Sequence, residues 1–218
     1  EQTMYLAQLK GLSRSDAQAR IKEWFVKFEM ESWWNKKVED LSKGMQQKIQ
    51  FIATIVHQPR LLILDEPFTG LDPINTNLIK DEINNLAKRG ASIIFSTHRM
   101  EQVEEICDHI ILVNKGAKVL DGTVAGVKQQ FKENLFSIGL GDDRVDYSSL
   151  AFTVVGKKGT SLVVKINQGY QPNDVLSFFL QQQKPVSSFN ELLPSLNEIF
   201  IKLVENTPMS RQFQPIND

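Results

Sequence analysis

Two carboxylates stand side by side at the end of an apolar run. "LLIL" at residues 61–64 leads into Asp65 and Glu66, and Pro67 follows at once. Short continuous apolar runs are the pattern of strands buried in parallel sheets. An acid pair where such a strand leaves its sheet either caps the following turn or handles a cation and a water. In open α/β sheets, the crevice beyond the carboxyl ends of the strands is where ligands bind. Pro67 has no amide hydrogen to continue a strand ladder. A second run, "ASIIFST", ends at His98, and Ser42 stands where a helix could begin. Cys107, Asp108 and His109 put a thiol beside an acid and an imidazole. Consecutive residues at a helix-to-strand junction cannot all converge on one substrate, so they are read as structural.

The elements that must position these groups follow from patterning. Residues 1–58 read as helical: Ser13 offers an N-cap, and Ala17, Ile21, Trp24, Phe25 and Phe28 form one apolar face. Trp33 and Trp34 are assigned to packing. Ser42 can cap a helix whose apolar face is Ile49, Ile52, Ala53 and Val56. Residues 59–134 alternate strand and helix, which predicts a parallel sheet. Within them, "HIILVN", the turn "KG" and "AKVLDG" form a hairpin expected on one edge of that sheet. Residues 135–205 hold short alternating strands and two helices, a small α+β domain, and 206–218 is a polar tail.

Bulk composition narrows the function classes. Lys+Arg 25 against Asp+Glu 26 gives a net charge of -1, so no nucleic-acid surface is announced. The single cysteine excludes an intrachain disulfide framework and suits a reducing compartment. No apolar run approaches the roughly 18–20 residues of a bilayer span. The chain opens without Met, in a helical pattern. The expectation is therefore that further sequence precedes it.

Four elements in order, "LSKGMQQ" (41–47), "LLILDEP" (61–67), "GLDP" (70–73) and "STH" (96–98), resemble the nucleotide-binding subunits of ABC transporters over residues 1–122. They correspond to that family's signature motif, Walker B strand, D-loop and switch histidine. The resemblance implies the C-terminal part of a P-loop NTPase core with a helical signature subdomain. It also implies ATP and Mg²⁺ as cofactors. Mg²⁺ keeps several waters and needs one carboxylate, and Asp65 has that place. Glu66 becomes the general base or water-orienting group, and His98 the sensor of the γ-phosphate. Ser42, Lys43, Gly44 and Met45 would meet the ATP of a second subunit at a helix N-terminus, with Asp72 coupling the catalytic site to that interface. Lys43 and Met45 depart from the commonest "LSGGQ". Lys43 either adds a cation at the phosphate or points to solvent.

The "LSKGMQQK" variant resembles bacterial exporters of the sodium-extrusion and drug- or polymer-export type. Residues 135–205, down to "LLPSLNEIF", resemble the accessory domain of a subset of these exporters. The implied protein is a homodimer or heterodimer of ATPase subunits. It would lie on the cytoplasmic side of the membrane beneath transmembrane permease partners, with no nucleic acid. A G-x-x-x-x-G-K-[ST] phosphate loop is absent. Gly156-Lys157, the one Gly-Lys pair, lacks both the first glycine and the Ser/Thr, and reads as a hairpin turn. The chain by itself is therefore expected to be inactive. The alternatives are a non-transport ABC ATPase and a non-hydrolytic regulatory module.

Overall fold

The structure is a computed structural model that describes residues 1–140 and 147–205; the 206–218 tail expected from the sequence lies outside them. The chain divides into two compact units, Glu1–Arg99 and a second beginning at Met100.

In the first unit, α1 (Gln2–Leu9), α2 (Arg14–Lys27) and α3 (Lys43–Ile55) precede the β-α-β sequence β1 (Leu61–Asp65), α4 (Pro73–Lys88) and β2 (Ser92–Ser96). Ser13 caps α2 by accepting the Asp16 amide, 3.1 Å away. Ala17, Ile21, Phe25 and Phe28 are buried as the periodicity requires. Trp34 meets Phe25 edge-on with ring centroids 5.0 Å apart, a packing role. The α3 face differs from expectation. Ile52 and Val56 are buried, but Phe51 and Ile55 join them, and Ile49 and Ala53 are only half-buried. Phe51 sets this rotation by packing edge-on against Phe28 at 6.3 Å. Ile49 and Ala53 instead line a cleft of about 590 Å³ shared with residues 61–63.

β1 and β2 pair in parallel, with Leu61 opposite Ser92 and Asp65 opposite Ser96. Partnered residues point to the same face, so Leu62 and Leu64 lie with Ile93 and Phe95 on the packed side. Full burial on both faces, expected from the apolar run, is not observed. Leu61, Ile63 and Ile94 are 52%, 67% and 59% exposed. A two-stranded sheet covered on one side leaves the other apolar face to solvent.

In the second unit, α5 (Met100–Ile106) leads to β3 (His109–Asn114) and β4 (Ala117–Thr123). The hairpin forms, but as a two-stranded sheet of its own, not as an edge of the parallel sheet. Lys115 (φ 49°) and Gly116 (φ 76°) make its turn, the positive-φ pair that matches strand twist. Then come α6 (Val124–Gln130), β5 (Leu135–Gly139), β6 (Phe152–Lys158), β7 (Ser161–Ile166), α7 (Pro172–Gln181), β8 (Ser188–Leu192) and α8 (Leu196–Glu205). The last four strands form an antiparallel sheet in the order β6-β7-β5-β8. Its core joins Phe136, Ile138, Leu162 and Val164 to Val175 and Phe179 of α7.

Helix α8 packs elsewhere. Its Leu196 and Ile199 cluster with Val127 of α6 and with Met100 and Val103 of α5. Glu104 joins the three helices: it pairs with Lys128 at 2.6 Å and accepts the Leu196 amide. Gly156-Lys157 lies inside β6 beside a register shift, and the turn falls two residues later, at Gly159 (φ 61°). Among the described residues no helix is long and apolar enough to cross a membrane.

Contiguous exposed apolar surface drives association. The 218-residue chain is expected to self-associate in sedimentation velocity. Ile63→Thr and Ile94→Thr together should weaken that association while shifting the thermal midpoint by no more than about 2 °C, as exposed substitutions do. Association unchanged in the double variant would show that this face is not responsible.

Candidate functional site

The parallel register delivers the acids to their partners. Asp65 and Ser96 end their strands opposite one another, and the Asp65 carboxylate accepts a hydrogen bond from the Ser96 hydroxyl. One residue on, the Glu66 amide donates to the Ser96 carbonyl at 3.0 Å. Glu66 itself has φ 45°, in the left-handed region. A non-glycine residue there costs on the order of 1–3 kcal/mol and persists only where its surroundings over-determine it.

Those surroundings are donors. Oε1 of Glu66 accepts the His98 amide at 3.0 Å and contacts His98 Nδ1 at 2.6 Å. Oε2 accepts from Thr97 Oγ1 at 3.2 Å and Thr69 Oγ1 at 3.3 Å. Since an ionised carboxylate only accepts, Nδ1 carries the proton, and Nε2 of a neutral ring is left as an acceptor. The His98 side chain is 76% exposed. Its ring hydrogen bond is the largest influence and holds the Glu66 carboxyl below its ordinary 4.5; burial opposes it, and the His98 amide and Thr97 add to the lowering.

The other predicted residues lie on the same unit. Ser42 caps α3, accepting the Met45 amide at 3.4 Å. Gln46 secures the preceding loop through the Val38 and Leu41 carbonyls, at 3.1 and 3.0 Å. A methyl group added at Gly44 would make only ordinary contacts, 3.9 Å from Gly70 O and Leu71 Cδ2. Neither packing nor backbone therefore demands glycine there. Lys43 is exposed, yet its stem runs along the D-loop: a methyl group on Gly70 (φ 81°) would lie 3.4 Å from Lys43 Cε. Asp72 caps α4 through the Asn75 amide at 3.0 Å. That amide and the Asn75 side chain lower the Asp72 pKa.

Sequence reasoning assigned no role to Thr69, Ser96, Thr97 or Gln47. Ser96 and Thr97 belong to the "STH" segment, whose hydroxyls were a usable signal. Thr69 and Gln47 carried none. Cys107, outside this site, has its thiol pushed up to about 11 by burial and Asp108, which leaves it unreactive. His109 is instead paired with Asp121 at 2.7 Å.

Among the described residues no group of three or more His, Cys, Asp or Glu could enclose a metal. The Asp65 carboxylate, oriented by the Ser96 hydroxyl, has the chemistry of a single protein ligand for a hydrated divalent cation.

A βαβ unit presenting an acid pair beside a Ser-Thr-His strand end fits an α/β ATPase core. Comparisons agree. Residues 10–102 match the family model described as AAA domain, putative AbiEii toxin, Type IV TA system. Residues 122–204 match that of the ATP-binding protein DrrA1-3-like C-terminal domain. The uncharacterized ABC transporter ATP-binding protein YhaQ of Bacillus subtilis is 40% identical over 205 residues, 94% of this chain and 68% of YhaQ. The uncharacterized ABC transporter ATP-binding protein BpOF4_11395 of Alkalihalophilus pseudofirmus is 44% identical over 138 residues, 63% of this chain and 52% of that protein. A solved structure of the ATP binding subunit of an ABC transporter superposes with TM-score 0.54 at 29% identity, covering 59% of this chain and 55% of that one. The chain belongs to the ABC transporter ATP-binding proteins. It spans about half to two thirds of the length of these two relatives.

The depressed Glu66 pKa fixes a sign. The stabilisation from pairing its carboxylate is complete above the ordinary 4.5 and is lost as pH falls through the lower folded value. Carboxyl carbon NMR on the chain should show Glu66 titrating below 4.5, and His98→Ala should return it toward that value. A Glu66 midpoint indifferent to His98→Ala would contradict this geometry.

Proposed function

We propose that this chain carries the catalytic acids, the phosphate sensor and the signature segment of an ATP-hydrolysing subunit of a bacterial ABC exporter. The observation that carries the reading is the convergence of Asp65 and Glu66 with Ser96, Thr97 and His98 at the ends of two parallel strands.

Asp65 is the Mg²⁺ carboxylate, acting directly or through water. When bound, the cation neutralises charge on the phosphates. Glu66 orients the attacking water. Its four donors keep the carboxylate ionised at neutral pH but make it a weak base. Phosphoryl transfer tolerates a weak base, because its transition state asks mainly for positioning and charge stabilisation. The long hydroxyl contacts from Thr69 and Thr97 are those a water can displace most easily. With Nδ1 committed to Glu66, Nε2 of His98 is the ring atom left to report on a phosphate.

Ser42, Lys43, Gly44 and Met45 face the ATP of the opposite subunit in a homodimer or heterodimer. Gly44 supports this, since a methyl group there would meet only ordinary contacts at 3.9 Å, so packing among the described residues does not demand glycine. The subunit lies on the cytoplasmic side of the membrane, beneath membrane-spanning permease partners that carry the substrate. The "LSKGMQQK" variant and the match to the DrrA1-3-like C-terminal domain favour export.

The test is made in the full-length gene product. Glu66→Gln should bind ATP as wild type does and lose hydrolysis by about 10² or more. Asp65→Asn should weaken Mg²⁺-dependent ATP binding. Wild-type turnover by Glu66→Gln would remove the catalytic assignment.

A further inference from the structure

The turn carrying Glu66 is held on both sides of its left-handed residue. On one side the Glu66 amide is fixed to the Ser96 carbonyl of β2. On the other, Pro67 is buried and its carbonyl accepts Gln47 Nε2 at 3.2 Å. Gln47 stands on α3, four residues after Lys43, so the two side chains share a helix face. Both meet the same loop. A methyl group added at Gly70 would lie 3.4 Å from Lys43 Cε and 3.6 Å from Gln47 Oε1. The first turn of α3 and the loop of residues 67–70 thus form one continuous contact, and Gln47 supplies its directional bond.

We propose that Gln47 is a positioning residue for Glu66. Its amide anchors the Pro67 carbonyl, which sets the turn from which the Glu66 carboxylate reaches His98. Displacement of the signature helix is thereby transmitted, within one subunit, to the water-orienting carboxylate. The inference rests on the ATPase reading for its catalytic meaning, but its structural content stands apart from it.

Two sets of measurements separate these. In the 218-residue chain, Gln47→Met removes the donor at similar size. Amide exchange should speed about tenfold at Thr69 and Leu71, whose amides close the loop at 3.1 and 3.4 Å, with exchange in the middle of α3 unchanged. Gln47→Glu, isosteric but unable to donate, should behave alike if Gln47→Met folds poorly. In the full-length gene product, Gln47→Met should lower kcat for ATP about tenfold or more at unchanged KM, the cost of a misplaced catalytic group. Gln47→Lys, which restores a donor of comparable reach, should recover most of it. Unchanged loop exchange would overturn the proposal. So would equal kcat loss in the Met and Lys variants, which marks a merely structural role. If the wild-type gene product hydrolyses no ATP, the functional reading falls, and exchange in the 218-residue chain still decides on Gln47.

Discussion

The register of one parallel strand pair governs the site. β1 and β2 run together so that Asp65 faces Ser96, and every later contact depends on that alignment. A slip of one residue would turn the acids to the other face of the sheet. Beyond the strand end the ladder hands over to side chains. The Ser96 carbonyl takes the Glu66 amide, and Thr97 and His98 take its carboxylate. The left-handed Glu66 backbone is affordable because these bonds converge on it. The two His98 contacts, each on the order of 1.5–3 kcal/mol when shielded, offset a strain of about 1–3 kcal/mol, and the longer threonine contacts add less. Exposure reduces those values, yet the balance still favours the strained turn.

Around this centre the caps divide the work. Ser42 and Asp72 each close a helix N-terminus by accepting a backbone amide of its first turn. The carboxylate of Asp72 is committed to α4, so any contact with a second subunit would compete with that cap. Ser42 contributes one long bond and keeps lone-pair capacity. The second unit is organised differently: α8 is tied through Glu104 to α5 and α6, while α7 packs on the four-stranded sheet.

Much of the fold was legible because local chemistry and global role agree. The apolar run of β1, the Ser13 and Ser42 caps and the Lys115-Gly116 turn each follow from residue type alone. The acid pair was legible at its strand end and His98 at the neighbouring one, but the hydroxyl donors around Glu66 were assigned no role. Thr97 and Thr69 become ligands of Glu66 only through tertiary approach, and nothing in a glutamate announces a positive φ. The uncovered face of β1 was invisible for the opposite reason: an apolar run predicts a cover that the described residues do not supply. The face of α3 was misjudged because Phe28, more than twenty residues away, selects Phe51 over Ile49. Gly156-Lys157 looked like a turn by composition, whereas strand pairing placed it in β6 and gave the turn to Gly159.

The account holds that Glu66 and His98 act as one unit. A double-mutant cycle on ATP hydrolysis by the full-length gene product tests this most directly, using Glu66→Gln, His98→Ala and their combination. The account predicts strong non-additivity, with the double variant within about twofold of the slower single variant. A double variant whose loss equals the product of the two single losses would show that the residues act independently, and would contradict it.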